Sequence, residues 1–463
     1  MSQNLNSSSA KVSIPVFPGL LKMLGPGIVW MAFAQGSGEL IWWPYLTAKY
    51  GLFFLFLIIP AALLQYPIAY EIGRYTLCTG EGIWQGFIRL SKGFSFLLWL
   101  LMLVTFFWFG AYASAGGTAL AEITGFPNGW SQKGQSLFWA YVSMAVFLFP
   151  LLLSRRVYRF IEGLMWFVAI FTVVGLIVAS LHPSVLAVAP EFLRGLIGLS
   201  GPIARPWESK DAALLVTAIT FMGLGGFFNL FYSYWLKEKG IGMARVQDAA
   251  GVSQVMADSS ENRRELFRWL RFLRFDASVG IVGNLFTTLI VCLLAYAVLF
   301  PQGVYPDKWE IAVVQSRFFE FQWGAIGKVL FLFVAAAFLV DSWLTAIDGL
   351  SRINTDVVSH LFPSASKKTP RWWYLFFLLL FTVITVVTMP LAQPGTLILM
   401  TGILNFTGTV LYAIPLWILN YRWLPRQNPS FVRPSSWAST FLWISIIAYF
   451  VLMIAFLWVK FLG

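Results

Sequence analysis

LGPGIVWMAFAQGSGELIWWPYLT, residues 24–47, decides the reading of this chain. The run is apolar over most of its length and matches the roughly 20 helical residues that a bilayer core of about 30 Å requires. Its middle, Gln35-Gly36-Ser37-Gly38-Glu39, combines two glycines, two polar side chains and a carboxylate. Glycine weakens a helix, and an acid at that depth is costly unless it is paired, hydrated or bound to a cation. A second run, 211–236, repeats the arrangement. It is interrupted at Gly223-Leu224-Gly225-Gly226, with Met222 just before and Asn229 one turn after.

Comparable apolar runs recur along the 463 residues, of which 59% are hydrophobic and 11% charged. Soluble domains carry roughly a quarter charged residues, so this chain could not cover a water-facing surface. The runs lack the alternation of barrel strands, and lipid requires each span to satisfy its own backbone, which leaves helices. Eleven spans are expected, near 24–47, 52–73, 94–122, 135–154, 158–181, 211–236, 276–300, 324–350, 372–389, 394–420 and 437–460. Residues 1–20 read as a flexible tail without a cleavable leader, and 75–92 as an amphipathic linker. The longest polar loop is 237–275. Its second half, from Glu261 to Arg274, reads as an arginine-rich surface helix with Trp269 and Phe272. Trp42-Trp43 and Trp372-Trp373 read as interfacial belt residues. Cys78 and Cys292 read as lone thiols.

A net charge of +12 could point to nucleic acid, but in a membrane chain it reflects loop bias. With the N-terminus cytoplasmic, 23 of the 32 Lys and Arg fall inside and eight outside, while Lys328 lies within a span. An odd span count then puts the C-terminus outside. The expected place is a bacterial inner membrane, and the expected partners are the bilayer and a transported ion or small solute, with no nucleic acid. No P-loop is present, and neither His182 nor His360 has metal-motif spacing, so neither ATP-driven pumping nor enzymatic activity is expected. No cofactor is expected beyond a transported divalent cation.

Two glycine-interrupted spans five apart are the signature of inverted repeats. Small residues also serve close helix packing, which is the competing reading. A broken helix offers free N–H groups and carbonyls at mid-bilayer, which draw anions and cations respectively. Candidate substrate-binding residues are therefore Gln35, Gly36, Ser37, Gly38 and Glu39 in span 1, and Met222, Gly223, Gly226 and Asn229 in span 6. Glu39 is the candidate metal ligand. Asp341 in span 8 and Asn405 in span 10 are possible pathway residues. Asp348 is expected to pair with Arg352, and Glu71 with Arg74. Glu122 is expected at the interface. The other polar residues of span 10, Thr401, Thr407 and Thr409, suit hydrogen bonding between helices.

Gly25-Pro26-Gly27, Tyr50-Gly51-Leu52, Leu63-Leu64-Gln65 and Thr79-Gly80 follow in order and spacing a pattern that resembles the Nramp family of divalent metal transporters. Asn229-Leu230 and Ile414-Pro415-Leu416 resemble its spans 6 and 10. The resemblance implies an all-α integral membrane protein of LeuT-type fold: about 11 transmembrane helices in two five-helix inverted repeats plus one extra helix, with helices 1 and 6 broken. It divides the chain into a cytoplasmic tail (1–20), a first repeat (21–182), an extracellular loop (183–210), a second repeat (211–421) containing loop 237–275, and a final helix with the C-terminus (422–463). The family's site residues do not carry over. Gly36 stands where the family has its metal-binding Asp, and Glu39 where it has the adjacent Asn. Gly226, Phe227 and Phe228 stand at its Met-Pro-His. Phe109 and Tyr112 replace its span 3 acids, and Gly402 a span 10 ligand.

Three functions compete. A remodelled cation site around Glu39 suits a hard, partly hydrated ion such as Mg²⁺, or Mn²⁺. A Gly-Ser-Gly break among aromatics suits an amino acid or another small organic solute, although Glu39 would repel a carboxylate. A non-transporting sensor is permitted by loop 237–275 but required by nothing.

Overall fold

The computed structural model describes residues 11–35, 41–153, 157–246, 255–306 and 311–461. Among these, eight helices are long and apolar enough to cross a membrane, and the chain is a multi-pass membrane protein. They include span 2 (Ile58–Thr79), span 3 (Lys92–Thr124, with a turn between Phe106 and Gly110), span 5 (Val157–Ser180), span 8 (Arg317–Leu361) and span 10 (Pro394–Ile418). Gln132–Leu153 is a further helix, at the place of span 4. The region of span 6 is divided into shorter helices, and the described parts of span 1 are two helices on either side of residues 36–40.

Span 6 is helical over Ala212–Thr220 and again over Phe228–Lys239. Between them Gly225 and Gly226 take φ of 64° and 55°, a region that side chains with a Cβ rarely adopt. In span 1, helix Pro26–Ala34 precedes helix Trp42–Tyr50. Gly36, Ser37, Gly38 and Glu39 lie outside the described residues, so the expected break there is neither seen nor refuted.

The tail departs from expectation over its described part. Lys11–Val12 pairs in parallel with Val255–Met256. The Ile14 N–H donates to Asn262 Oδ1, the Phe17 N–H donates to Glu265 Oε2, and Trp269 Nε1 donates to the Pro15 carbonyl. The Phe17 ring meets Trp269 edge-on at 5.0 Å. The physical reason is the amphipathic helix that follows the loop. Its apolar face, with Trp269 and Phe272 fully buried, needs a cover, and the tail supplies it. That arginine-rich helix is also not separate from span 7. The two run on as one helix, Ser260–Leu294.

The expected amphipathic linker contains a well-packed helix, Ile83–Leu90, with Ile83, Trp84 and Phe87 fully buried. Trp42 and Trp43 are interior rather than belt residues. Trp43 Nε1 donates to the Ala218 carbonyl, which ties the second half of span 1 to the first half of span 6. The span 10 threonines bond to their own helix four residues back, not to a neighbour: Thr401 to Leu397, Thr407 to Ile403 and Thr409 to Asn405. Arg352 pairs with Asp348 and Arg74 with Glu71, both at 2.8 Å. Lys328 pairs with Glu122 near the C-terminal end of span 3. Both cysteines are free and buried.

Candidate functional site

The interruption at 221–227 frees backbone groups, and each unsatisfied group in hydrocarbon would cost several kcal/mol. Neighbouring side chains take them up. Gln65 Nε2, from span 2, donates to the Thr220 carbonyl at 2.8 Å and also to the Tyr449 hydroxyl. Tyr412, from span 10, donates to the Gly226 carbonyl at 2.7 Å. The Phe227 N–H donates to Asn405 Oδ1 at 2.9 Å, and Asn229 Nδ2 donates to Gln65 Oε1 at 3.0 Å. Asn229 and Asn405 are thus engaged in holding the break open. Gly226 is pressed against Asn405, where a Cβ would come within 2.3 Å of the Asn405 Cβ. A Cβ on Gly223 would come within 3.2 Å of Gln65. Gly402 faces Thr217 in the same way, so its lack of a side chain brings span 10 against span 6.

The other side of the break is aromatic. Phe228, the first residue of the second half-helix, is the hub. Its ring centroid lies 5.0 Å from Phe33 of span 1, 5.2 Å from Phe106 and 5.6 Å from Phe109 of span 3, and 5.9 Å from Phe221. Phe109 in turn meets Tyr112 at 4.6 Å. Phe33 immediately precedes Ala34 and Gln35, so this wall adjoins the described end of span 1. Gln35 is buried there and donates to Thr287 Oγ1 of span 7 at 3.2 Å, and its own Oε1 has no partner among the described residues. Met222 is fully buried within the break.

One carboxylate stands near this level. Span 8 runs antiparallel to span 3: Trp99 Nε1 donates to Asn354 Oδ1, Gly116 abuts Val340, and Lys328 pairs with Glu122. That register places Asp341 at the level of Tyr112 to Ser114. Asp341 is 1% exposed, and neither of its oxygens has a hydrogen-bond partner among the described residues. The hydroxyls of Ser114 and Thr345 are likewise buried and unanswered. Thr345 lies one turn from Asp341, and Gly349, a turn further along the same ridge, packs on Phe231 of span 6. Among the described residues these polar groups, spread over about a turn of span 8 and the facing part of span 3, have no partners, and such a group is the kind that something bringing its own hydrogen bonds or charge would satisfy.

Both ends of this region are tied shut. Toward one end, Lys49 bridges the second half of span 1 to Asp211 at 2.7 Å, at the foot of span 6, and to Glu208 at 2.8 Å. Tyr50 also donates to Asp211 at 2.7 Å. Toward the other end, Asp276 accepts from Tyr232 at 2.8 Å and sits against Gly27, at the start of helix Pro26–Ala34. Glu162 and Lys239 pair beside Gly25.

Among the described residues no three His, Cys, Asp or Glu side chains come together to hold a metal. Glu39, the candidate metal ligand, lies outside them. Phe33 and Phe106 of this wall were not singled out from the sequence, because a lone Phe in an apolar helix carries no signal, and Phe228 was legible only as the replacement for the family's His. Their neighbours Phe109 and Tyr112 were legible only as substitutions for acids.

No family model matches the chain. It is 23% identical over 360 residues to an uncharacterised protein of Pasteurella multocida, covering 76% of this chain and 73% of that protein. Three solved structures are similar across nearly the whole length. One is a manganese transporter of Eremococcus coleocola in complex with an aromatic bis-isothiourea substituted compound (TM-score 0.64, 14% identity, 97% of this chain and 90% of that one). Another is MhsT in complex with L-phenylalanine (TM-score 0.59, 14% identity, 95% and 99%). The third is Mhp1, a nucleobase-cation-symport-1 family transporter, closed with bromovinylhydantoin bound (TM-score 0.53, 13% identity, 98% and 96%). The fold is LeuT-type. At such identities these likenesses establish architecture only, and they divide between metal and organic cargo. They do not single out the Nramp family.

Proposed function

We propose that this protein is a secondary transporter of a small organic solute, carried between spans 1, 3 and 6. The solute's apolar body lies against Phe33, Phe106, Phe109 and Phe228, and Asp341 receives a positive group borne by the solute or by an accompanying cation. What supports this reading is an aromatic wall on spans 1, 3 and 6 and, near its level by helix register, a buried carboxyl group with no partner among the described residues. Aromatic faces hold apolar bodies and attract organic cations, whereas Mg²⁺ and Mn²⁺ need several oxygen ligands. Both L-phenylalanine and bromovinylhydantoin, bound in similar structures, are small organic molecules of this kind.

A second reading, a divalent-cation transporter with Glu39 as ligand, is favoured by the similarity to the manganese transporter. A thermal-shift panel on the purified protein separates the two. Amino acids, nucleobases and organic amines are tested beside Mg²⁺ and Mn²⁺. Stabilisation by an organic compound that is lost in Phe228→Ala supports the proposal. Stabilisation by Mn²⁺ or Mg²⁺ alone, unaffected by Phe228→Ala but lost in Glu39→Gln, would replace it with the second reading.

A further inference from the structure

Helix Ser260–Leu294 has 35 residues, which at 1.5 Å per residue is about 50 Å, against a hydrocarbon core of about 30 Å. Its first turns therefore project beyond the core. Within them, Arg263, Arg264, Arg268, Arg271 and Arg274 are exposed and line one open groove with Phe267. Only Arg268 has an ion-pair partner among the described residues, Glu265 at 2.7 Å. Glu265 is itself engaged with the Phe17 backbone on the opposite, buried side.

The direction of this groove follows from the rest of the helix. Exposed Phe275, Val282 and Phe286 continue the stripe of Arg264, Arg268 and Arg271 at helical spacing, down to the mid-membrane part of span 7. A stripe of apolar residues exposed on a membrane span faces lipid tails. The guanidinium groups on the same face, one to three turns further out, then face the headgroups of those same lipids. Phe267, 51% exposed, interleaves the arginines as interfacial aromatics do.

We infer that this face is a binding site for anionic phospholipid headgroups of the surrounding leaflet. Guanidinium forks take phosphate oxygens in pairs, and the stripe presents several within reach of neighbouring headgroups. An acidic polypeptide would satisfy the charge, but it would not call for a groove continuous with the lipid-facing stripe.

The test uses the full chain in detergent, supplied with phosphatidylglycerol or phosphatidylcholine, with retained lipid counted by native mass spectrometry. The variant R263Q/R264Q/R271Q/R274Q spares Arg268 and its link to the tail, and R264Q/R271Q serves as the milder second variant. The wild type is expected to prefer phosphatidylglycerol. The four-fold variant should lose that preference by at least about tenfold and the double variant by less, whereas K367Q/K368Q/R371Q, around the start of helix Pro370–Thr388, should keep it. Unchanged retention in both groove variants would overturn the inference. So would displacement by polyglutamate as effective as that by phosphatidylglycerol, which would assign the face to an acidic protein.

Discussion

At the scale of single residues, Asp341 carries the account. A buried polar group with no partner costs on the order of 1–3 kcal/mol. Asp341→Leu, which removes both oxygens, should therefore raise the thermal stability of the solute-free protein, by about 1–3 kcal/mol, while abolishing transport. Heat unfolding in detergent beside an uptake assay checks both halves. Glu208 gives a pH signature. Hydrogen bonds from Lys210, then Lys49, hold its carboxyl down at about 2, below the ordinary 4.5. A depressed acid contributes stability above its ordinary value and loses it as pH falls toward the lowered one. The share of stability that Glu208→Gln removes should thus be constant from pH 8 to pH 5 and vanish only as pH approaches about 2, as pH-dependent unfolding of the two proteins would show. Asp341 was legible in the sequence because an acid inside a span stands out. Lys49 and Asp211 were not: each lies at a span end, where charges are ordinary, and only the fold brings residues 162 positions apart to 2.7 Å.

At the scale of elements, the broken span 6 depends on glycine and on borrowed hydrogen bonds. Gly226→Ala places a methyl against Asn405 and forces a left-handed backbone on alanine, which should cost about 3 kcal/mol. The tie between the second half of span 1 and the foot of span 6 behaves differently. Lys49→Met leaves Asp211 buried with tyrosine donors alone and should cost about 3 kcal/mol. Lys49→Met combined with Asp211→Asn should cost less than either change alone, since no unpaired charge remains. A double-mutant cycle by heat unfolding tests this. The interruption in span 6 falls on the glycine run that the sequence displays. The tail's docking was hidden, because Ile14 and Phe17 look unremarkable until the apolar face of helix Ser260–Leu294 needs covering. The division between that helix and span 7 was equally misleading. Arginines suggest a loop, yet they are good helix formers, and nothing between Arg274 and Ala277 breaks the helix.

At the scale of the whole molecule, hydropathy made the membrane class plain, and two glycine-interrupted runs pointed to the architecture that the similar structures share. The cargo was not legible, because it depends on which rings and acids converge from spans far apart in sequence. On the orientation expected from the charge bias, loop 237–275 is cytoplasmic and loop 183–210 lies outside. Reporter insertions in each should show opposite accessibility, and the same side for both would reverse the orientation or the span count. On the proposed reading, passage between spans 1, 3 and 6 would require the Lys49–Asp211 tie and the contacts around Asp276 to open in turn. The most direct test of the account is uptake into proteoliposomes of an organic compound found to bind, measured beside Mn²⁺ for the wild type and for Asp341→Asn. The account predicts saturable uptake of the organic compound that disappears in the variant, with no Mn²⁺ flux in either protein. Saturable Mn²⁺ uptake that persists in Asp341→Asn, with no movement of the organic compound, would contradict it.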